Sequence, residues 1–257
     1  MTLHYLAKLT SPKRTPESNL HLGLVLSWIA GALNAGGFLA VGQYTSHMTG
    51  IISTAADDLV LARYIPALAA LLMLLAFVAG AATTAVWVNY AKRNSYPLHY
   101  SPVLFLESIL LLFFGIVGHG LLQHELVTVS FTTMLLCYMM GLQNALITKI
   151  SHAEIRTTHV TGLVTDIGIE IGKLFYWNYD KEKGQDTHIR ANLQKLRLHS
   201  SLVAAFFLGG LAGAAGFKFL GFISTVPLSM ILVFVGIAPY LDKKKHHLRG
   251  GADHSNN

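Results

Sequence analysis

Charged residues are scarce in this sequence. They make up 12% of its 257 residues, whereas about 25% is usual in a soluble domain. The chain also has only one cysteine, Cys137, so an internal disulfide is excluded. Apolar residues account for 53% of the chain, and the mean hydropathy is +0.48. This composition predicts a helical protein that crosses a membrane several times.

The motifs that mark common catalytic and cofactor sites are also missing. The sequence has no H-E-x-x-H or C-x-x-C pair, phosphate-binding loop, G-x-S-x-G elbow or dinucleotide fingerprint. We therefore expect no metal, no cofactor and no enzymatic activity. A formal net charge of +6 would suit nucleic acid as a partner, but the positions of the basic residues argue against it.

Six apolar runs are long enough to cross a bilayer, which takes about 20 residues. In a six-span topology, 17 of the 19 basic residues lie on one side, and only Arg63 and Lys218 lie opposite. The positive-inside rule makes the basic side cytoplasmic, so both termini are expected there. The predicted spans are 22–42, 65–90, 102–123, 127–149, 201–220 and 222–241; they form one domain, 22–241, between an N-terminal tail, 1–21, and a basic tail, 242–257.

One unusual phrase occurs twice in the chain. G-A-L-N-A at 31–35 is followed by S-H-M-T-G at 46–50, and G-L-Q-N-A at 141–145 is followed by T-H-V-T-G at 158–162. Each copy follows the first span of a three-span unit. Because three is odd, the second unit enters the membrane from the other side. The sequence thus predicts an all-α bundle built as a 3+3 inverted repeat, with units of about 22–123 and 127–241.

Weaker matches support this pairing of the two units. A-G-A at 79–81 resembles A-G-A at 212–214, and Asp58 and Glu170 both lie eight residues after the last glycine of the phrase. The second unit contains extra polar residues. We expect these to form a cytoplasmic segment at about 173–200.

The repeated phrase disfavours a continuous helix, because a glycine inside a helix costs about 1 kcal/mol relative to alanine. We expect breaks at the motifs, near 36–37 or 42 in the first, with the hydroxyl residues before each histidine capping a new half-helix. The N-terminus of such a half-helix attracts polar or anionic ligands. Inverted symmetry would join the two phrases in one central site, and its candidate substrate-binding residues are Asn34, His47, Thr49, Asn144, His159 and Thr161.

Two other interpretations of the phrase stay open. Its glycines can allow close helix approach while its polar residues satisfy one another, which would suit a membrane scaffold or assembly protein. It can also belong to an intramembrane enzyme that acts on lipid, with His47 or His159 as a base. Outside the phrase, Glu107 either carries protons, pairs with a basic residue or lies at the cytoplasmic interface. Asp58 is expected to be solvated.

The paired phrases resemble those of the YoaK-like family of bacterial membrane proteins, a family of unknown function. The residues that carry the resemblance are N-A-x-x-F with S-H-M-T-G, and G-L-Q-N-A with T-T-H-V-T-G. The resemblance spans about residues 20–241, and it implies a six-helix protein of the bacterial inner membrane but no substrate. From the residues, we expect a secondary transporter or channel for a small polar or anionic solute. Its expected partners are that solute, membrane lipids and, in a homo-oligomer, further copies of the chain.

Overall fold

The computed structural model describes residues 16–96, 98–120, 125–151, 157–176 and 189–253. In this part of the chain all regular structure is helical. Residues 1–15 and 254–257 of the two predicted tails, and residues 177–188 of the predicted cytoplasmic segment, lie outside the described residues. The helices are α1 (Pro16–Val41), α2 (Met48–Val60), α3 (Tyr64–Arg93), α4 (Ser101–Gly120), α5 (Glu125–Ile150), α6 (Val160–Phe175), α7 (Leu193–Leu220), a 3-10 turn (Gly221–Ser224) and α8 (Thr225–Asp253).

Five stretches of the described chain are long and apolar enough to cross a membrane. The fifth has 46 residues and includes both α7 and the apolar part of α8. The chain turns between these two helices at Gly221, whose φ of +60° is a conformation that other residues rarely adopt. The prediction of an all-α protein with several membrane-spanning helices is confirmed. The five stretches are Asn19–Val41, Tyr64–Arg93, Ser101–Gly118, Phe131–Ile150 and Leu193–Ala238.

Two helix pairs are held together by glycine in the repeated phrase. A Cβ atom on Gly31 would lie 2.0 Å from the carbonyl oxygen of Phe206, so the backbones of α1 and α7 are in contact there. A Cβ atom on Gly141 would lie 2.0 Å from the carbonyl oxygen of Phe77, which brings α5 equally close to α3. Small residues of this kind allow the close packing that holds helices together in membranes. The first glycine of each copy therefore makes the same kind of contact.

The helices α1 and α7 run parallel to each other. Near the start of α1, the hydroxyl of Ser27 donates to the carbonyl oxygen of Leu202 at 3.1 Å. Nine residues later, Gly36 lies against the ring of Phe217. Contacts that advance in the same direction along both chains are those of a parallel pair.

The helices α3 and α5 are also parallel. Gly80 lies against the carbonyl oxygen of Tyr138. Further along both helices, the ammonium group of Lys149 lies 3.4 Å from Oδ1 of Asn89 and donates to it. The pairs α1–α7 and α3–α5 are thus alike in direction as well as in their glycine contacts.

The match predicted from sequence between Gly80 and the A-G-A segment at 212–214 is wrong by one helical turn. Gly80 faces the carbonyl oxygen of Tyr138, and Gly209 faces that of Trp28. Trp28 and Tyr138 both lie three residues before the first glycine of the phrase, so Gly209 is the counterpart of Gly80. Gly213 instead corresponds to a position four residues further along α3.

The last helix pair, α4 and α8, is antiparallel. Gly118 near the end of α4 lies against the ring of Phe222, just before α8 begins. Ser108 and Ser229 share a buried hydrogen bond of 2.7 Å further along the pair. One large cluster of buried apolar side chains joins these two helices to α1, α5 and α7.

Candidate functional site

The helix that carries the first phrase is interrupted, but later than its glycines suggest. The helix α1 continues through residues 36–37 and ends at Val41, followed by Gly42 with a φ of +74°. Residues 42–47 are not helical, and neither are residues 157–159 before α6. Both breaks lie in the segments where the phrase predicts them.

Asn34 holds the segment that follows the first break. Its Oδ1 accepts hydrogen bonds from the backbone N–H of Ser46 at 3.2 Å and from the Ser46 hydroxyl at 2.9 Å. Since Asn34 lies seven residues before the end of α1, about 10 Å along the helix axis, the segment must fold back beside α1. As a result, α2 begins close to the level of Asn34.

Asn144 does the same in the second half. Its Oδ1 accepts from the backbone N–H of Thr158 at 3.3 Å and from the hydroxyl of Thr157 at 3.2 Å, and its Nδ2 donates to the Thr158 hydroxyl. The prediction that these hydroxyl residues cap the new helices is therefore wrong. The N-cap residues are His47 and His159, and neither makes a side-chain capping bond.

The final glycine of each phrase makes room for the histidine ring. A Cβ atom on Gly50 would lie 2.2 Å from Cδ2 of His47, and one on Gly162 would lie 2.3 Å from Nε2 of His159. Each imidazole thus packs on the first turn of the helix that it precedes. This contact explains why the phrase reads H-x-T-G, with glycine three residues after histidine.

A cavity of about 370 Å³ lies beside His47, between α2 and the start of α3. Of the six predicted site residues, His47 is the one that lines it. Asn34 and Asn144 hold the two breaks in the helices, and Thr49 and Thr161 lie on the first turns of α2 and α6. The polar residues around the cavity are Gln43, Tyr44, His47, Thr54, Asp58 and Thr133.

Asp58 lies in the wall of this cavity and is 4% exposed, so the expectation of a solvated carboxylate is wrong. Its Oδ1 lies 2.7 Å from Nη2 of Arg63, the N-cap residue of α3. The ion pair joins the end of α2 to the start of α3. It also offsets the negative charge that a bare carboxylate would bring to the cavity.

Glu170 has the same role in the second half. Its Oε2 accepts from the backbone N–H of Asn192, the N-cap residue of α7, at 2.7 Å. Its Oε1 lies 2.9 Å from the ammonium group of Lys173. The Asn192 bond, and then Lys173, hold the pKa of Glu170 below its usual range. Asp58 and Glu170, which the sequence paired, thus both connect a short helix to the long one after it.

These shared anchors identify the residues that take the place of the cavity wall in the second half. Asp166 precedes Glu170 by four residues, as Thr54 precedes Asp58. Counting along α3 from its N-cap residue, Arg63, and along α7 from its N-cap residue, Asn192, Lys195 corresponds to Pro66 and His199 to Ala70. The cavity wall has small or neutral side chains at these positions, and the second half has larger, ionisable ones: Pro66 is replaced by Lys195, and Ala70 by His199.

In the second half these ionisable side chains are joined together. Oδ2 of Asp166 lies 3.4 Å from the ammonium group of Lys195 and 3.5 Å from Nδ1 of His199. His199 is 4% exposed, so its ring fills the space between α6 and α7.

Gln143 is a buried polar residue that the sequence interpretation did not single out. It is fully buried, and neither its Oε1 nor its Nε2 has a hydrogen-bond partner among the described residues. The first copy of the phrase has Leu33 at this position, also fully buried. A polar residue in one copy where the other has leucine is the signal that would have identified it.

Comparison with known proteins places the chain in a family. The family model described as "Protein of unknown function (DUF1275)" matches residues 22–238. The chain belongs to this family. The chain is also 26% identical over 169 residues to the "UPF0700 transmembrane protein YoaK" of Bacillus subtilis (strain 168), an alignment that covers 65% of this chain and 74% of the relative. The predicted resemblance to a YoaK-like family is confirmed, and this DUF1275 member is a multi-pass membrane protein.

No solved structure gives a significant match to the chain. Within the described ranges, no group of three or more histidine, cysteine, aspartate or glutamate side chains is placed to hold a metal ion.

Proposed function

We propose that this DUF1275 protein is a secondary transporter or channel that moves a small polar or anionic solute across the bacterial inner membrane. The observation that carries the proposal is the cavity of about 370 Å³ beside His47. Small-molecule sites usually have volumes of about 300–1,000 Å³, so the cavity suits a small metabolite or inorganic ion. The proposed activity is transport and not catalysis.

The proposed topology has six crossings. As one straight helix, the 46-residue stretch Leu193–Ala238 would be about 69 Å long, against about 30 Å of hydrocarbon. Its turn at Gly221 favours two crossings, by α7 and α8. With six alternating crossings, the first and fifth (α1 and α7) run in one direction, and the second and fourth (α3 and α5) run in the other. The parallel pairs α1–α7 and α3–α5 are what this order requires.

The helix contacts also support a 3+3 inverted repeat. In such a repeat α1 corresponds to α5 and α3 corresponds to α7, so the α1–α7 pair corresponds to the α5–α3 pair. Both pairs are parallel, and both have the same glycine contacts. The same correspondence relates α4 to α8, which are antiparallel, as inversion requires. In this arrangement Gly31 and Gly141 lie near the middle of the bilayer, so α2 and α6 are half-helices that begin inside it.

The chemistry of the cavity favours a polar or anionic solute. The first N–H groups of α2 have no partner within the helix, and the helix dipole adds partial positive charge at this end. The N-cap residue, His47, lines the cavity and supplies donors for a polar ligand. Since Asp58 is paired with Arg63, its charge does not oppose an anion. We assign His47 and His159 to matched solute contacts, made in turn as access changes sides.

The difference between the halves suggests how access alternates. The cavity wall carries Pro66 and Ala70. In the second half Lys195 and His199 take these positions and lie beside Asp166, and we propose that these three side chains fill the corresponding space. In the proposed topology this filled side is cytoplasmic, because the basic residues concentrate there. The described state would be open to the outside and closed to the cytoplasm, and transport would require the reverse state in turn.

Uptake into proteoliposomes tests the proposal. Full-length protein would be screened against small inorganic anions, carboxylates and neutral polar metabolites. His47→Ala and His159→Ala should both reduce uptake of the active solute while reaching the membrane in normal amounts. His99→Ala, a substitution in the connection between α3 and α4, is the matched control and should keep wild-type uptake. Full uptake by both motif variants would refute the assignment of the site, and an absence of uptake for every solute would count against transport.

A further inference from the structure

Glu107 is a buried carboxylic acid that no described residue pairs with. It lies within about one turn of the middle of α4 and is 0% exposed. In the part of the chain that the structure describes, neither of its two carboxyl oxygens has a hydrogen-bond partner. No described basic side chain pairs with Glu107, and its position relative to the cytoplasmic interface stays a prediction. An unpaired polar group in such a place is costly, and intramembrane acids commonly carry ions or protons.

The other half of the protein shows that packing does not require this acid. Ser108 is followed by G-I at 115–116, and Ser229 is followed by G-I at 236–237. The two serines also hydrogen-bond to each other, so they are counterparts at the crossing of α4 and α8. Glu107 precedes one serine, and the buried Leu228 precedes the other. Leucine fills the equivalent position, so the carboxyl group serves another purpose.

The described side chains of the elements packed against α4 bring no positive charge toward Glu107. On α8 the titratable side chain described is Tyr240, which is 44% exposed and whose ring lies beside that of Phe105, and the 3-10 turn has none. On α5 the titratable side chains described are Cys137, Tyr138 and Lys149. Tyr138 and Lys149 bond to α3, and Cys137 packs among residues of α2 and α3.

The helix α7 approaches α4 through the rings of Phe217 and Phe114. Its nearby cation, Lys218, lies over the exposed ring of Phe219 and away from the core. An ionised carboxylate at position 107 would thus be both dry and unpaired, which is far more costly than the neutral acid. A protonated carboxyl group would avoid this cost, and it would release its proton only when water reaches it.

We propose that Glu107 is the proton-binding residue that couples solute movement to the proton gradient. The proposal rests on the transport function proposed above. A proton from water on one side forms the O–H bond of the carboxyl group, and the same bond breaks when the core opens to water on the other side. The ligand of this site is the proton itself, and the solute binds separately in the cavity beside His47.

Infrared spectroscopy of the full-length protein in lipid tests proton binding without any solute. The wild type should show the carbonyl band of a protonated carboxylic acid at neutral pH, and Glu107→Gln should remove it. Asp58→Asn and Glu170→Gln, which alter ion-paired carboxylates, should leave the band unchanged. A band that persists in Glu107→Gln, or no such band in the wild type, would overturn the proposal.

Transport driven by a pH difference tests the coupling. With a difference of about one pH unit, one coupled proton can support up to about tenfold accumulation of a neutral solute. Glu107→Gln should lose this accumulation but retain exchange of solute across the membrane. If the variant still accumulates solute, coupling by Glu107 is refuted and transport stands. If the wild type moves no solute, the transport function fails and the infrared result still decides proton binding.

Glu107→Leu, which copies Leu228, separates a functional role from a structural one. It should unfold at the same temperature as the wild type or at a higher one, because it replaces an unpaired buried polar group with an apolar side chain. Like Glu107→Gln, it should fail to accumulate solute. A large loss of thermal stability in Glu107→Leu would show that the acid is needed for packing.

Discussion

The space beside His47 and the corresponding space in the second half differ in what fills them. The first is a cavity of about 370 Å³, and Pro66 and Ala70 lie in its wall. In the second, the corresponding positions are Lys195 and His199, whose side-chain nitrogens both lie within 3.5 Å of one carboxylate oxygen of α6. The helix contacts in the two places are alike, so the difference between them lies in the side chains.

This comparison separates the parts of the repeated phrase by their roles. The glycines make the same contacts in both halves, and each asparagine bonds to the segment before the next helix, so both belong to the shared framework. The histidines are also placed alike, each as an N-cap residue packed on a glycine. What differs is the side chains between each short helix and the long helix after it, and we propose that access to the site is controlled there.

The largest expected effect concerns the shared framework. Gly31→Ala and Gly141→Ala should each destabilise the protein by about 1–3 kcal/mol or more, because the added Cβ would collide with a carbonyl oxygen of the neighbouring helix. Gly168→Ala and Gly172→Ala are matched controls, since a Cβ there meets nothing within 4 Å. Thermal unfolding in lipid would measure all four. Equal stability of the framework and control variants would contradict the close helix contacts.

The asparagines should differ in the size of their effect. A side-chain hydrogen bond in a membrane protein is worth about 0.6 kcal/mol on average. Asn144 makes three such bonds and Asn34 makes two. Asn144→Ala should therefore cost about 2 kcal/mol and Asn34→Ala about 1 kcal/mol, measured by denaturant unfolding. Loss of transport by either variant at unchanged stability would instead indicate direct contact with the solute.

Opening the second half should change access more than stability. In Lys195→Ala combined with His199→Ala, the side chains become as small as those of the cavity wall. The ion pair between Lys195 and Asp166 is partly exposed, so its loss should cost less than about 1 kcal/mol. Uptake by inside-out vesicles should rise relative to the wild type. Unchanged uptake together with unchanged stability would show that these residues do not control access.

The smallest expected effect is a pH dependence at Glu170. Because its pKa is lower in the folded protein than in the unfolded chain, its stabilising contribution is present above the unfolded pKa, about 4.3. That contribution is lost as the pH falls through the lower, folded pKa. Glu170→Gln should reduce stability at neutral pH and flatten the acid side of the stability profile. An unchanged profile would contradict the role assigned to the Asn192 and Lys173 bonds.

The sequence was sufficient for the helical class, the family and the positions of the interruptions. The polar phrase recurs in apolar surroundings, and its spacing alone locates the breaks at 42–47 and 157–159. The register of α7 could not be predicted in this way. Glycines lie both at 209 and one turn later at 213, and only the contact of Gly209 with Trp28 distinguishes them.

The partners of the polar side chains could not be predicted either. The sequence is the same whether a hydroxyl residue caps the next helix or bonds to an asparagine. Which partner the hydroxyl takes depends on how residues 42–47 fold back beside α1. Asp58 was expected to be exposed because it lies near a helix end, but Arg63 lies five residues later and pairs with it. Such contacts depend on the turn between α2 and α3.

The most direct test of one-sided access compares Ile51 with Leu163, which hold the same place one residue after the final glycine of each phrase. Each would be changed to cysteine in a Cys137→Ala background and treated with a membrane-impermeant thiol reagent. In right-side-out vesicles, Ile51→Cys should react, because Ile51 lines the cavity. Leu163→Cys should stay protected in both vesicle orientations until Lys195 and His199 are replaced by alanine. Equal reaction of the two cysteines from one side of the membrane would contradict the proposed inverted, one-sided site.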